Sequence, residues 1–326
     1  MTTSDTRPAL HVPARDIPVP TFLSPAAQAM LGMSLGEGAT YPAPDDLDGW
    51  RALVASRDGS VLAMMRDRAA GVEATVEEID LDGVGTFVIR PKTTAADDRR
   101  VYLDIHGGAL IMGGGESCQA TGTITAGQVG MPTWAVDYRM PPDHPYPTPL
   151  DDCLAAYRAL LADHRPEDVV VGGGSAGGNL AAALLLRARD EGLPLPAAAV
   201  LRTPEVDLTE SGDSFRTNLG VDNILTASLM PANLLYAAGH DLAHPYVSPL
   251  FGDFTKGFPP TLLVTGTRDL FLSNTVRLHR ALRAAAVPAE LHVLEAAPHG
   301  GYFGLAPEDA EIEREVRRFV DLYTSR

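Results

Sequence analysis

The sequence predicts an α/β fold: a mostly parallel, eight-stranded sheet with helices on both faces and a helical cap over one end. Three observations carry that prediction. Short apolar or β-branched runs alternate with helix-length segments from about residue 100 onward. A strand–turn–strand pattern precedes them and adds an antiparallel edge. A long stretch with no clear strand, residues 203–260, interrupts the alternation as an insertion would.

Taken in order, the first 70 residues read as helical. Ser24 is a cap and Pro25 a first-position proline, with good helix formers from Ala26 to Met33. A second helical stretch runs from Asp46 to Ala70, with a break expected near Gly59. Strands follow at Val76–Leu81 and Thr86–Ile89, joined through Asp82-Gly83, and a third at Val101–Ile105. Trp134–Asp137, Asp168–Val171, Ala197–Leu201, Thr261–Thr265 and Glu290–Leu294 complete the strands. Helices are expected at Leu150–Asp163, Ser175–Glu191, Thr226–Ala237, Ser273–Ala286 and Pro307–Tyr323. This gives an N-terminal cap segment (1–70), a catalytic domain (71–202 and 261–326) and an insertion (203–260) that contributes to the cap.

Composition narrows the function classes. The chain has 326 residues, 45% hydrophobic and 21% charged, which suits a globular domain with a sizeable core. Its formal net charge is −16, and such a field repels phosphate backbones and anionic bilayers. No nucleic-acid partner and no stable membrane insertion are therefore expected; the longest apolar run, Leu180–Leu186, stops at Arg187. Cys118 and Cys153 form no CxxC pair and read as buried, reduced thiols. Met1-Thr2-Thr3-Ser4-Asp5 lacks a basic region followed by an apolar stretch, so the expected location is cytoplasmic.

The chemistry concentrates in four places. Gly173-Gly174-Ser175-Ala176-Gly177 is a G-x-S-x-G sequence between an apolar strand and an alanine-rich helix. Such a turn is tight, hence glycines beside the serine, and it presents the serine oxygen at a helix N-terminus. The same residues satisfy G-x-G-x-x-G through Gly172, Gly174 and Gly177, the alternative being a dinucleotide site. That version wants an acid about 20 positions on, closing the next strand, and Leu201-Arg202-Thr203 supplies none, although its arginine could serve a 2′-phosphate. A glycine-rich turn without chemistry is the blander alternative. Second, His106-Gly107-Gly108-Ala109 follows a strand, where backbone N–H groups can approach a developing oxyanion. Beside these glycines His106 reads as a residue that orients the loop. Asp269 and His299 come third and fourth, each just past the carboxyl end of a strand, in the order serine, acid, histidine. Asp269 would hold the imidazole and His299 would take the Ser175 proton.

These motifs resemble the hormone-sensitive-lipase-like esterases of the α/β-hydrolase fold. His106-Gly107-Gly108-Ala109 is similar to that family's H-G-G-G loop, and Gly173 to Leu180 to its G-D-S-A-G-G-N-L elbow. Asp137-Tyr138-Arg139-Met140-Pro141-Pro142-Asp143-His144-Pro145-Tyr146-Pro147 resembles its D-Y-R-L-A-P-E-H-P-F-P segment. The resemblance implies hydrolysis of small-molecule esters of short- to medium-chain acids through an acyl-enzyme, with no cofactor and no metal. It also implies Ser175, Asp269 and His299 as catalytic residues, and an oxyanion hole from Gly107, Gly108 or Ala109 with Ala176. In that family a homodimer often pairs through the last strand. Three positions depart from the pattern: Gly174 replaces an aspartate, Ala109 the third glycine, and Ser273 a second acid. Loops of the Gly-Gly-Ala kind resemble those of esterases that accept bulky alcohol groups. Lactone, carbamate or amide hydrolysis would use the same residues. A non-catalytic small-molecule receptor on this scaffold would be expected to lack the histidine.

Weaker features have plainer explanations. His240 and His244 are spaced as in H-E-x-x-H, but Asp241 replaces the glutamate and Pro245 follows. Asp151-Asp152 fits the first turn of a helix. Ordinary packing accounts for Met30, Met33, Met64 and Met65 better than an acyl pocket does.

Overall fold

Strand order, more than any single helix, decides where the chemistry sits. The computed structural model describes residues 10–33 and 40–324. Met1–Asp5 and the remainder of the N-terminal segment at 1–9 and 34–39 lie outside the described residues. Two N-terminal helices, α1 (Pro25–Leu31) and α2 (Leu47–Ala70), lead into β1 (Ala74–Asp80), β2 (Gly85–Pro91) and β3 (Val101–Ile105). Then come α3 (Glu116–Val129), β4 (Thr133–Asp137), α4 (Thr148–Asp163), β5 (Val169–Gly174), α5 (Ala176–Asp190) and β6 (Ala198–Arg202). The insertion carries α6 (Ser214–Thr217) and α7 (Met230–Ala237). The chain ends with β7 (Thr261–Gly266), α8 (Leu272–Ala284), β8 (Ala289–Leu294) and α9 (Pro307–Tyr323).

Among the described residues the eight strands form one sheet in the order β1-β2-β4-β3-β5-β6-β7-β8. β1–β2 and β2–β4 pair antiparallel and the rest pair parallel. The hairpin turns through Asp82 (φ 55°) and Gly83 (φ 92°), both left-handed, as a two-residue turn matching strand twist requires. β5 lies centrally between β3 and β6, and its Val169–Val171 are fully buried. All five β3 residues are buried, as expected of a parallel strand covered on both faces.

Local chemistry accounts for the differences from expectation. α2 is continuous across Gly59, where the break was expected. A Cβ at Gly59 would meet nothing within 4 Å, so this glycine faces open space and costs the helix only about 1 kcal/mol. The helix is capped by Asp46, which accepts the Gly49 N–H, and anchored by buried Trp50 and Met65. α7 begins at Met230, not Thr226. Before it, Glu210 accepts from Ser228 Oγ and Leu229 N, and Ser228 Oγ accepts from Met230 N, holding those residues in a non-helical lead. α1 ends at Leu31; its cap is Ser24, as expected, and Glu308 on α9 accepts from both Ser24 N and Oγ. α3 was not anticipated. Its threonines and glycines have weak helix propensity, and packing makes the helix: Cys118 and Ala126 bury against Phe87, Ile89 and Ala135 of the sheet. Cys118 and Cys153 are buried and free, as expected.

Candidate active site

The site begins at the junction of β5 and α5. Ser175 has φ 57° and ψ −122°, a conformation L-residues rarely adopt, at the N-cap position of α5. Its neighbours hold it there: Ser175 N donates to Arg202 O at 2.9 Å, and its carbonyl accepts from Glu205 N at 3.1 Å. Gly177 is obligatory at this turn, since a Cβ would lie 1.8 Å from the Ile105 carbonyl oxygen. Gly174 is different. A Cβ there would meet nothing closer than 3.7 Å, so the tightness inferred from sequence does not extend to this position.

Asp269 follows β7 and His299 follows β8. His299 Nε2 lies 2.9 Å from Ser175 Oγ, and Nδ1 lies 3.0 Å from Asp269 Oδ1. A carboxylate only accepts, so Nδ1 carries the proton and the Nε2 lone pair faces the serine hydroxyl. Asp269 is fully buried and held by two further donors, Phe271 N to Oδ1 (2.8 Å) and Thr265 Oγ1 to Oδ2 (2.7 Å). The Phe271 ring meets the imidazole edge-on at 4.8 Å. Burial pulls the His299 pKa down. The charge and hydrogen bond of Asp269, then the charge of Asp222, outweigh it and leave the pKa above its ordinary value.

Beside the serine, the chain turns through Gly107, Gly108 (φ 132°), Ala109 (φ 52°) and Leu110 (φ 63°). Gly107 packs directly on the elbow: a Cβ there would be 2.9 Å from Gly174 O and 3.3 Å from Ser175 Cβ. Among the described residues the N–H groups of Gly107, Gly108, Ala109 and Ala176 donate no hydrogen bond within the chain. The Ala109 methyl is taken up in an apolar cluster with Trp50, Phe215 and Phe271. His106 Nδ1 is 2.8 Å from Gly107 O, its ring stacks on Tyr138 at 4.1 Å, and Tyr138 Oη donates to His106 O. Burial pushes the His106 pKa down, so a neutral ring braces the loop.

One residue here carried no signal in the sequence. Asp222, in the insertion, is 1% exposed, and Oδ2 accepts from Leu270 N at 2.8 Å. Oδ1 accepts from Ile224 N and Leu225 N, and both oxygens lie 3.3–3.4 Å from His299 N. It ties the acid loop to the histidine loop. An isolated aspartate in an irregular stretch gives no pattern by which to find it.

The remaining candidates have other roles. His240 and His244 flank the Tyr146 ring, and His244 Nδ1 accepts from Tyr246 N. Asp151 lies in the first turn of α4, and Asp152 takes a two-pronged bond from Arg139. Of the four methionines, Met65 borders the cavity beside Ser175, Met30 packs against Tyr302 and Ala296, and Met33 and Met64 are exposed. His106, Cys118 and Asp137 bring ligand-type atoms within 4.8 Å of one another, as do Glu290, His292 and Glu315; His106 Nδ1 faces Gly107 O, and Asp137 Oδ1 accepts from Gly115 N. No helix among the described residues is long and apolar enough to cross a membrane.

A serine elbow after β5, an acid after β7 and a histidine after β8 of such a sheet make this the fold of a hydrolase. Comparison with known proteins agrees. Residues 102–303 match the family described as alpha/beta hydrolase fold, and the chain belongs to that family. It is 38% identical over 202 residues to an acetyl-hydrolase of Streptomyces hygroscopicus, covering 61% of this chain and 66% of that one. With an esterase of Acinetobacter venetianus it shares 33% over 215 residues, 65% of this chain and 70% of the other. The crystal structure of an esterase E25 superimposes with a TM-score of 0.89 at 33% identity, covering 97% of this chain and 99% of that one. An esterase from the bacterial hormone-sensitive lipase family gives 0.76 at 28% identity, covering 93% and 99%. These relatives make it a member of a family of ester hydrolases.

Proposed function

We propose that the protein is a serine carboxylesterase acting on short- to medium-chain esters through an acyl-enzyme. The observation that carries this reading is the unbroken relay Ser175 Oγ–His299 Nε2 (2.9 Å) and His299 Nδ1–Asp269 Oδ1 (3.0 Å). Ser175 attacks the ester carbonyl as His299 takes its proton, and Asp269 stabilises the imidazolium. The N–H groups of Ala176 and of Gly107, Gly108 or Ala109 bind the tetrahedral oxyanion, at the N-terminus of α5 where the helix dipole favours negative charge. His299 then protonates the leaving alcohol, and a water activated by the same imidazole releases the acid.

In this reading no cofactor takes part. Residues 1–70 and 203–260 act as the cap, supported by Trp50 of α2 packing with Ala109, Phe215 and Leu229. The Gly-Gly-Ala loop suits bulky alcohol groups, the exposed edge of β8 would pair two copies, and the reduced thiols suit a cytoplasmic setting. A non-catalytic receptor is disfavoured, because it would have no use for a buried, hydrogen-bonded His299–Asp269 pair.

The test is hydrolysis of p-nitrophenyl esters, acetate through decanoate, by the wild type and by Ser175→Ala. Turnover lost in the variant at every chain length supports the reading, and the optimum sizes the acyl site. A folded wild type inert on the whole series refutes it and moves the weight to a lactone, carbamate or amide substrate.

A further inference from the structure

A cavity of about 270 Å³ lies beside Ser175 and His299, on the sheet face covered by α3 and α9. It is slightly smaller than the roughly 300 Å³ at which small-molecule sites begin, so it suits a short group. Met65, Ile124 and Val264 contribute apolar wall, while Asp104, Gln128 and Arg202 are polar. The strand register explains their meeting. Asp104 pairs with Gly172 across β3–β5, and Gly174 pairs with Arg202 across β5–β6. Residues two apart on a strand share a face, so Asp104 and Arg202 stand on one side of the sheet with two glycines between them.

The two glycine positions are not equivalent. The Tyr102 hydroxyl occupies the space beside Gly172, where a Cβ would lie 1.8 Å from its oxygen. Beside Gly174 there is room, the nearest atoms being Arg202 O at 3.7 Å and Arg202 Cβ at 4.0 Å. Arg202 uses Nη1 to donate to Gln128 Oε1 at 2.7 Å, but Nη2 is buried with no acceptor. A guanidinium N–H out of water and unpaired is costly to keep, and buried donors are normally matched. Arg202 forms no ion pair among the described residues, though its charge is near enough to Asp104 to oppose the effect of burial on that carboxyl. Asp104 itself is held up at about 7 by burial, so at neutral pH it can accept from a hydroxyl or donate to a carboxylate.

We infer that the cavity receives the acyl arm of the substrate and that the Arg202 guanidinium, which lines it and has a donor to spare, binds an oxygen acceptor at the far end of that arm, a hydroxyl or a carboxylate. The inference rests on the serine-esterase reading above and adds a substrate class to it: esters of short acids carrying a second, oxygen-bearing polar group. The acyl arm is assigned because it stays bonded to Ser175 until water arrives, whereas the alcohol must leave toward solvent. Position 174 supplies the opening. An aspartate there, as in the resembling esterases, would place a carboxylate in the empty space beside Arg202.

The experiment compares ethyl esters of butyrate, 4-hydroxybutyrate and succinate (monoester), whose alkoxide leaving group suppresses spontaneous cyclisation, with Arg202→Met and Gly174→Asp as variants. The expected result is at least a tenfold higher kcat/KM for one of the polar-ended acids over butyrate in the wild type. That ratio should fall about tenfold in both variants, whatever their absolute rates. The hydroxyl and carboxylate arms tell which acceptor is used. Gly174→Asp reports even if Arg202→Met fails to fold, because it adds a side chain to open space. A wild type that hydrolyses butyrate with no preference for either polar acid overturns the inference alone. A preference seen only when the polar group is moved to the alcohol also overturns it. Failure to hydrolyse any of these esters, with no covalent labelling of Ser175, overturns the underlying esterase reading instead.

Discussion

Removing the Asp222 carboxyl tests whether the insertion positions the relay. Asp222→Ala leaves three well-formed backbone donors without an acceptor: Leu270 N at 2.8 Å, Ile224 N at 2.9 Å and Leu225 N at 3.2 Å. An unsatisfied buried donor costs about 1–3 kcal/mol, so the gross loss is about 3–9 kcal/mol. Part of it returns, because a buried carboxyl whose pKa is raised by burial no longer has to be desolvated. A net destabilisation of about 2–5 kcal/mol is expected, a large fraction of a typical domain's stability. Leu270 adjoins Asp269 and His299 N is the other tethered group, so both partners of the relay shift; misplacement by about 1 Å costs on the order of 100-fold in rate. Guanidinium unfolding and kcat/KM for p-nitrophenyl butyrate measure the two effects. Asp222→Asn separates structure from charge. It keeps one acceptor oxygen but removes a negative charge that raises the His299 pKa, so the acid limb of the kcat/KM profile should move to lower pH. An alanine variant of unchanged stability and activity, or an asparagine variant whose limb stays or rises, would refute the assignment.

Other predictions follow from the same geometry. In the wild type the acid limb should lie above 6.5, the ordinary histidine value, because the acids around His299 outweigh its burial; a pH profile of kcat/KM checks this, and a limb below 6.5 contradicts it. Gly177→Ala forces a methyl to within 1.8 Å of Ile105 O and should abolish activity with a stability loss of about 3 kcal/mol or more, whereas Gly174→Ala should leave the unfolding midpoint near the wild-type value. Glu205 is fully buried, and burial, opposed by the Asn233 side chain, pushes its pKa to about 8. Between the unfolded value near 4.5 and this folded value, the folded chain holds a proton that the unfolded chain has released. Stability therefore falls as pH rises through that window, and Glu205→Gln should flatten the fall in unfolding midpoint between pH 5.5 and 8.

What could be read from the sequence was what chemistry forces into a fixed pattern. Ser175 announces itself because its turn admits no Cβ at Gly177, and Asp269 and His299 because each must follow a strand to reach the same sheet edge. The hairpin was legible for a similar reason, since Asp82-Gly83 is one of the few pairs that tolerate two left-handed residues. Elements made by distant contacts were not. α3 has little helical propensity of its own and exists because Cys118 and Ala126 pack on the sheet. The continuity of α2 at Gly59 and the late start of α7 depend on neighbours and side-chain bonds far along the chain. Asp222 belongs to the same class, since its contacts arise from what the fold brings beside it and not from adjacent residues.

The most direct test of the central claim is covalent labelling of the intact protein by a p-nitrophenyl dialkyl phosphate, followed by mass spectrometry and peptide mapping. The account predicts one adduct per chain on Ser175, formed in step with loss of esterase activity and absent from Ser175→Ala. An adduct on another residue, or ester hydrolysis that persists in a folded Ser175→Ala protein, would contradict it.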